Sequence, residues 1–181
     1  GNNLFVNYTE DKYSESPKVG LIFYAMKISN NTDIGFKIKD IYLNFIIDGK
    51  TVRANVHFIP TDYQNSPLHK EKISQVKILF RNPNRYIVFQ EWENFNSQNT
   101  RFINKGDVIS LSTLFILPIK SFDEISEIRN LKLVMIDYLD NKVEHPIEID
   151  PQWIANGKNA NLNYSDNLPD NYKKQNQIDP F

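Results

Sequence analysis

Between Ile34 and Phe58 apolar and polar residues alternate with a period of two, and that alternation slips once and turns back once. Ile34, Phe36 and Ile38 alternate with Gly35, Lys37 and Lys39, but past Asp40 the apolar set becomes Ile41, Leu43, Phe45 and Ile47. Successive side chains of a strand point to opposite faces, so an uncompensated slip of one residue would turn the whole apolar set to the wrong side. The spacing therefore predicts a bulge, a bend or a change of sheet at Lys39 and Asp40. Asp48-Gly49 follows and predicts a type I′ hairpin, whose two central residues both need positive φ. On the return strand Val52, Ala54, Val56 and Phe58 are expected to face inward, and Arg53, Asn55 and His57 outward.

The same period recurs along the chain. Residues 19–29 begin apolar on both faces, as expected of a central strand. Asn30-Asn31-Thr32-Asp33 reads as a turn, because short polar side chains bond locally to the backbone. Val76, Ile78 and Phe80 alternate with Gln75, Lys77 and Leu79; strands are also expected at 86–92, 108–117, 131–138 and 143–149, the last two joined over Asp140-Asn141. Ser121 and Glu124 match a capping box, with Phe122, Ile125 and Ile128 at helical spacing, which predicts one short helix near 121–130. The supply of Phe (12) and Tyr (9) suits pleated, half-buried surfaces. About eight strands with regular turn signals predict an all-β fold, a two-sheet antiparallel β-sandwich. It is expected over residues 19–154, after a polar leader at 1–18 with a short strand at 4–8, and before a polar extended or disordered tail at 155–181. Trp153 and Ile154 are expected to tie the root of that tail to the domain.

The Asn-rich turn, the bent strand at Lys39 and Asp40, the Asp48-Gly49 hairpin and the Gly106-Asp107 lead into an apolar strand are together similar to immunoglobulin-like domains of bacterial surface and periplasmic proteins. The similarity covers roughly residues 19–150 and rests on turns, without the Cys…Trp…Cys signature of true immunoglobulin domains. It implies an extracytoplasmic binding domain, in the periplasm, on the cell surface or secreted. The chain starts at Gly1 with no Met, and a signal or lipid anchor removed upstream is expected.

With 21 basic and 22 acidic residues the formal net charge is -1, so no global field collects nucleic acid or anionic lipid, and no nucleic-acid partner is expected. Lys70, Lys72, Lys77, Arg81 and Arg85, interleaved with Phe80 and Tyr86, read as outward charges that keep a strand soluble. The absence of Cys excludes thiol catalysis, disulfides and Cys-based zinc sites. No apolar run reaches the roughly 18 residues of a transmembrane helix. No nucleophile elbow, P-loop, dinucleotide fingerprint or HExxH motif occurs, and His57, His69 and His145 are not at metal-ligand spacing; His145 is expected partly buried. Asp33, Asp62 and Asp107 are loop acids able to meet a calcium ion only if the fold gathers them. Asn7, Asn30 and Asn163 open Asn-X-Ser/Thr triplets, which an Asn-rich chain produces by chance.

These readings lead to a non-enzymatic binding domain with a protein partner, no catalytic residue, no metal and no cofactor. The alternative is a carbohydrate-binding module that stacks sugars on exposed aromatic rings, with Tyr42, Tyr63 or Trp92 as the platforms and their exposure as the deciding observation. A further alternative is a hydrolase using Glu91 and Glu93. In a strand their carboxylates share one face about 7 Å apart, within the roughly 5–9 Å that glycosidases use. The plainer reading of that pair is a solvated face opposite a core Trp.

Overall fold

Strands rich in apolar residues at both parities lie in the middle of the sheet, and strands that alternate lie towards one side. The computed structural model describes residues 2–8, 18–57, 76–80, 85–89, 102–163 and 177–178. In chain order its strands are β1 (Asn2–Tyr8), β2 (Lys18–Ser29), β3 (Ile38–Ile47), β4 (Lys50–His57), β5 (Val76–Phe80), β6 (Arg85–Phe89) and β7 (Val108–Leu117). A short 3-10 helix (Phe122–Glu127), β8 (Arg129–Asp137), β9 (Lys142–Pro146), the helix α1 (Pro151–Gly157), β10 (Ala160–Asn163) and β11 (Gln177–Ile178) follow.

Among the described residues these form one 11-stranded sheet in the order β11-β6-β5-β10-β1-β2-β7-β4-β3-β8-β9. The fold is all-β, as expected, but its hydrogen bonds define one continuous sheet where two separate ones were expected. The sheet is mainly antiparallel yet mixed, since β10 runs parallel to β1 and β11 parallel to β6. Continuity comes from β4. Its residues from Lys50 to Asn55 pair with β3, and Val56 and His57 then pair with Phe115 and Leu114 of β7.

Two apolar cores lie on opposite faces of β1, β2 and β7. Phe5, Val19, Leu21, Phe23, Phe115 and Leu117 point into the larger core, where they meet Ile41, Leu43 and Phe45 of β3 and Leu131 and Leu133 of β8. Leu4, Val6, Tyr8, Ile22 and Leu114 point the other way and meet Val76, Ile78, Phe80, Ala160 and Leu162. Burial on both faces is what the apolar start of β2 led us to expect. Gly20 belongs to this packing, since a Cβ there would come within 2.8 Å of Leu114.

The parity slip in β3 is a register shift between Ile38 and Asp40 against β8, which keeps Ile38, Ile41, Leu43, Phe45 and Ile47 all in the larger core. A second slip lies in β2. Its register against β7 shifts between Phe23 and Met26, with Ala25 at φ 50°, and this returns Met26 and Ile28 to the core face that Val19, Leu21 and Phe23 occupy. Asp48 (φ 50°) and Gly49 (φ 68°) both adopt the positive φ that a type I′ turn requires.

Other details depart from the sequence pattern. The helix near 121–130 is a 3-10 helix of 6 residues, and neither bond of the capping box is made. The Glu124 carboxylate accepts from the Lys120 N–H at 3.1 Å, and the Ser121 side chain makes no cap bond. The unexpected helix α1 starts where the Asp150 carboxylate accepts from the Gln152 N–H at 2.8 Å, with Pro151 in the first turn. Trp153 and Ile154 pack from it onto the larger core. Segment 155–181, expected to have little to bury, supplies β10, whose Ala160 and Leu162 are buried between β1 and β5.

Two substitutions test this packing. Gly157 of α1 lies against β1 so closely that a Cβ would collide with the Phe5 backbone oxygen. Gly157→Ala is expected to cost about 1–3 kcal/mol, the range for an overpacked site; an unchanged denaturation midpoint would show that α1 is not seated on β1. Thr113 is buried opposite Phe23, and its hydroxyl has no hydrogen-bond partner among the described residues. Thr113→Val keeps the branched shape and removes the orphaned group, and is expected to stabilise by about 1 kcal/mol; a lower midpoint would mean that the hydroxyl is satisfied.

Candidate binding surfaces

Tyr42 lies on the outer face of the β4-β3-β8-β9 half of the sheet, in a cross-strand row with Asn55, Val134 and Glu144. It is half-buried, where a sugar platform needs an exposed ring. The Arg53 guanidinium sits 3.8 Å from the ring centroid, a cation–π contact that occupies one of its faces. Arg53 is itself held there: Nη2 donates to Asp40 Oδ2 at 2.7 Å and Nε donates to Asn55 Oδ1 at 2.6 Å. The sugar platform is therefore reduced at Tyr42, because a guanidinium already stacks on it. Tyr63, Trp92, Glu91 and Glu93 lie outside the described residues.

Further along the row, Glu144 Oε2 accepts from Lys132 Nζ at 2.8 Å, and Lys142 Nζ lies 2.5 Å from Oε1. The hydrogen bonds from Lys132 and then Lys142 lower the Glu144 carboxyl from 4.5 to about 2. This face is a polar network laid over the fully buried Val134.

A second surface forms at the end of the sheet where residues 30–37, 102–107 and 137–141 meet. Its centre is Asn30, buried and fully bonded. Nδ2 donates to the carbonyls of Ile34 (2.9 Å) and Ile103 (3.0 Å), and Oδ1 accepts from the Thr32 N–H (2.9 Å) and hydroxyl (2.7 Å). Backbone bonds lace the segments together. Asn30 N donates to Asp107 O, Gly106 N to Asn30 O, Phe36 and Ile103 exchange a pair, and Tyr138 N donates to Lys37 O. The third segment is closed by Asp137, whose carboxylate accepts from the Leu139 N–H and from the N–H and side chain of Asn141. Burial raises the Asp137 carboxyl, but the bonds from Asn141 and Leu139 outweigh it and leave the group below its usual range.

On this pinned backbone four large apolar side chains face solvent: Ile34 (72% exposed), Leu139 (71%), Phe102 and Tyr138. The Phe102 ring fills the space a side chain at Gly35 would need. Lys37 Nζ lies 5.4 Å from the Tyr138 ring centroid. Phe102 thus lies against Gly35 and Tyr138 beside the Lys37 side chain, two residues further on. Ion pairs Lys39–Asp140 (2.6 Å) and Lys105–Asp33 surround them. The sequence pattern put Ile34 on the inward face with Phe36 and Ile38. It is exposed because β3 begins only at Ile38 and the alternation runs on past the end of the core. No sequence signal marked Phe102 or Leu139.

The remaining candidates do not converge. Asp33 pairs with Lys105, and Asp107 Oδ2 accepts from the Asn104 N–H at 3.0 Å. Asp62 and His69 lie outside the described residues, among which no group of three or more His, Asp or Glu could hold a metal ion. His57, expected to face solvent, is half-buried. Its Nε2 lies 3.0 Å from the hydroxyl of the buried Tyr8, because β4 has by then left β3 for β7. His145 is exposed on β9, where partial burial was expected. The Asn30 amide is inaccessible as a glycan acceptor, its hydrogen bonds being made inside the fold. Comparison with protein-family models, with curated proteins and with solved structures finds no match to this chain.

The Glu144 network generates a pH prediction. A carboxyl depressed in the folded state contributes stability above its ordinary value, and that contribution is lost as the pH falls through the folded one. The loss from Glu144 is expected between about 4.5 and about 2. A carboxyl-detected NMR titration should find its midpoint near the lower value, and Lys132→Ala should move it upward. An ordinary midpoint in the unmodified chain would mean that the two lysines do not hold Glu144 in solution.

Proposed function

We propose that this chain is a non-enzymatic protein-binding domain that docks its partner on the end bearing Ile34, Phe102, Tyr138 and Leu139. The observation behind this reading is the combination of exposed apolar side chains, an immobilised backbone and a rim of ion pairs. Protein interfaces share that anatomy, an apolar and aromatic centre within a polar margin. Large apolar side chains gathered at one place on a soluble surface mark such sites. A mixed aliphatic and aromatic cluster suits a protein better than a sugar, which needs flat rings free on one face. We further read the sheet as folded over its larger core in the manner of an immunoglobulin-like sandwich, with β4 as the corner between its halves. The resemblance of its turns to domains of bacterial surface proteins supports an extracytoplasmic location, which fractionation of the source cells would test.

Site-specific photocrosslinking tests the docking surface. A photoreactive residue at Phe102 should give a discrete adduct with one envelope protein, competed away by excess unlabelled domain. The same probe at Asn44, on the Tyr42 face, should not. Equal adducts from both positions, or none, would overturn the reading. A thermal-shift series with oligosaccharides tests the alternative. A sugar present at 100 times its dissociation constant adds about 2.7 kcal/mol, a rise of roughly 5–10 °C for a domain of this size, and such a rise would replace the protein partner with a carbohydrate.

A further inference from the structure

The β9 strand is an outermost strand of the sheet, and all its residues are exposed. Two backbone bonds fix the phase of its ladder with β8: Ile147 N donates to Leu131 O at 2.9 Å and Asp137 N donates to Asn141 O at 3.1 Å. In an antiparallel ladder such bonded pairs alternate with unbonded ones. Asn141, Val143, His145 and Ile147 therefore turn their backbone groups toward β8. Lys142, Glu144 and Pro146 turn theirs outward, and Pro146 has no N–H to offer. Among the described residues this leaves a short row of groups without a strand partner on the outer side, bounded by a proline.

We propose that β9 pairs with β9 of a second copy of this chain, antiparallel about a twofold axis at Val143. In that register Lys142 faces Glu144 of the second copy and Glu144 faces its Lys142. These are the two residues whose N–H and C=O both point outward, so the backbone bonds and the charges agree. Val143, 56% exposed and opposite Met135 on the core side, meets its own counterpart in the unbonded position, where side chains approach most closely. Neighbouring registers with the same bonding phase are disfavoured. Centring the axis on Glu144 opposes two carboxylates and sets Lys142 against the proline, and centring it on Lys142 opposes two ammonium groups. Like charges directly across a sheet are destabilising. One register is therefore selected by charge, and the contact closes as a dimer because a twofold pairing uses the same edge on both copies. This surface is distinct from the apolar end proposed for the partner, so either proposal can fail alone.

Sedimentation of the whole chain over about 1–500 µM should show mass-action dimerisation. Lys142→Glu and Glu144→Lys should each shift the chain toward monomer, and the double exchange should restore the dimer, since it re-creates the complementary pairs in the same register. The chain has no Cys, so Val143→Cys adds a single thiol. Across the twofold its Cα would stand about 4.5 Å from its counterpart, inside the roughly 4.4–6.8 Å span of a disulfide. Under mild oxidation it should form a covalent dimer far faster than Val108→Cys, an exposed control at the start of β7. A chain that stays monomeric throughout, a double exchange that fails to restore the dimer, or equal crosslinking at the two positions would overturn the proposal. The crosslinking comparison still decides if a charge variant fails to fold.

Discussion

Three strands, β1, β2 and β7, are apolar on both faces, and the rest of the architecture follows from the need to cover them twice. A sheet with a single buried face could leave Leu4, Val6, Ile22 and Leu114 in water, but here they are buried, as are Phe5, Leu21 and Phe115 on the other side. Cover on the larger-core side comes from β3 and β8, which reach it because β4 abandons β3 after Asn55 and takes up β7 at Val56. On the other side the strands β5 and β10 supply Val76, Ile78, Ala160 and Leu162. The chain is thus assembled by continuing one sheet past its own centre in both directions.

That arrangement explains what was legible in the sequence. Local chemistry was readable wherever backbone geometry depends on a residue or two: the parity slip at Ile38 to Asp40, and the Asp48-Gly49 turn with both φ values positive. So was the double-sided burial of β2. Its own slip was hidden, because a strand apolar at both parities shows no phase to lose; the shift falls at Ala25, a residue with no turn preference. The β10 strand was hidden for the opposite reason. Four residues with Ala160 and Leu162 as the apolar pair show no period, and only the neighbours β1 and β5 make them a strand. The helix α1 did leave a signal, Asp150 before Pro151, which is a cap and a first helical position. Sequence reasoning kept those residues in the β domain, just before the root of the tail, and read no helix there.

For the candidate surfaces the limit was different. Parity assigns a residue to a face but cannot say where the core beneath that face stops. Ile34 has the same parity as Ile38 and lies beyond the core's end, whereas His57 has the parity of Arg53 and lies over a second core. Both readings failed because they assumed that a face keeps one environment along its length. The Tyr42 ring is half-buried for a pairwise reason, the Arg53 guanidinium that a two-residue register places beside it.

Polar groups hold this structure's surface in place more than they stabilise it. Exposed ion pairs such as Lys39–Asp140 contribute little, and salt screens them. Asn30 differs, because its amide is buried and its bonds run to two separate stretches of the chain, 30–37 and 102–107. A loop held only by apolar contacts would fold Ile34 and Phe102 inward to gain them. Here the backbone of 30–37 and 102–107 is held by its own hydrogen bonds, which keep the apolar groups turned outward. Ordering that a flexible loop would undergo on binding is already complete in the free chain, and removing such a cost is how pre-organisation raises affinity. The exposure of these side chains is therefore set by the polar knot beneath them, and in the protein-binding role we propose the same knot would offer the partner a surface of fixed shape.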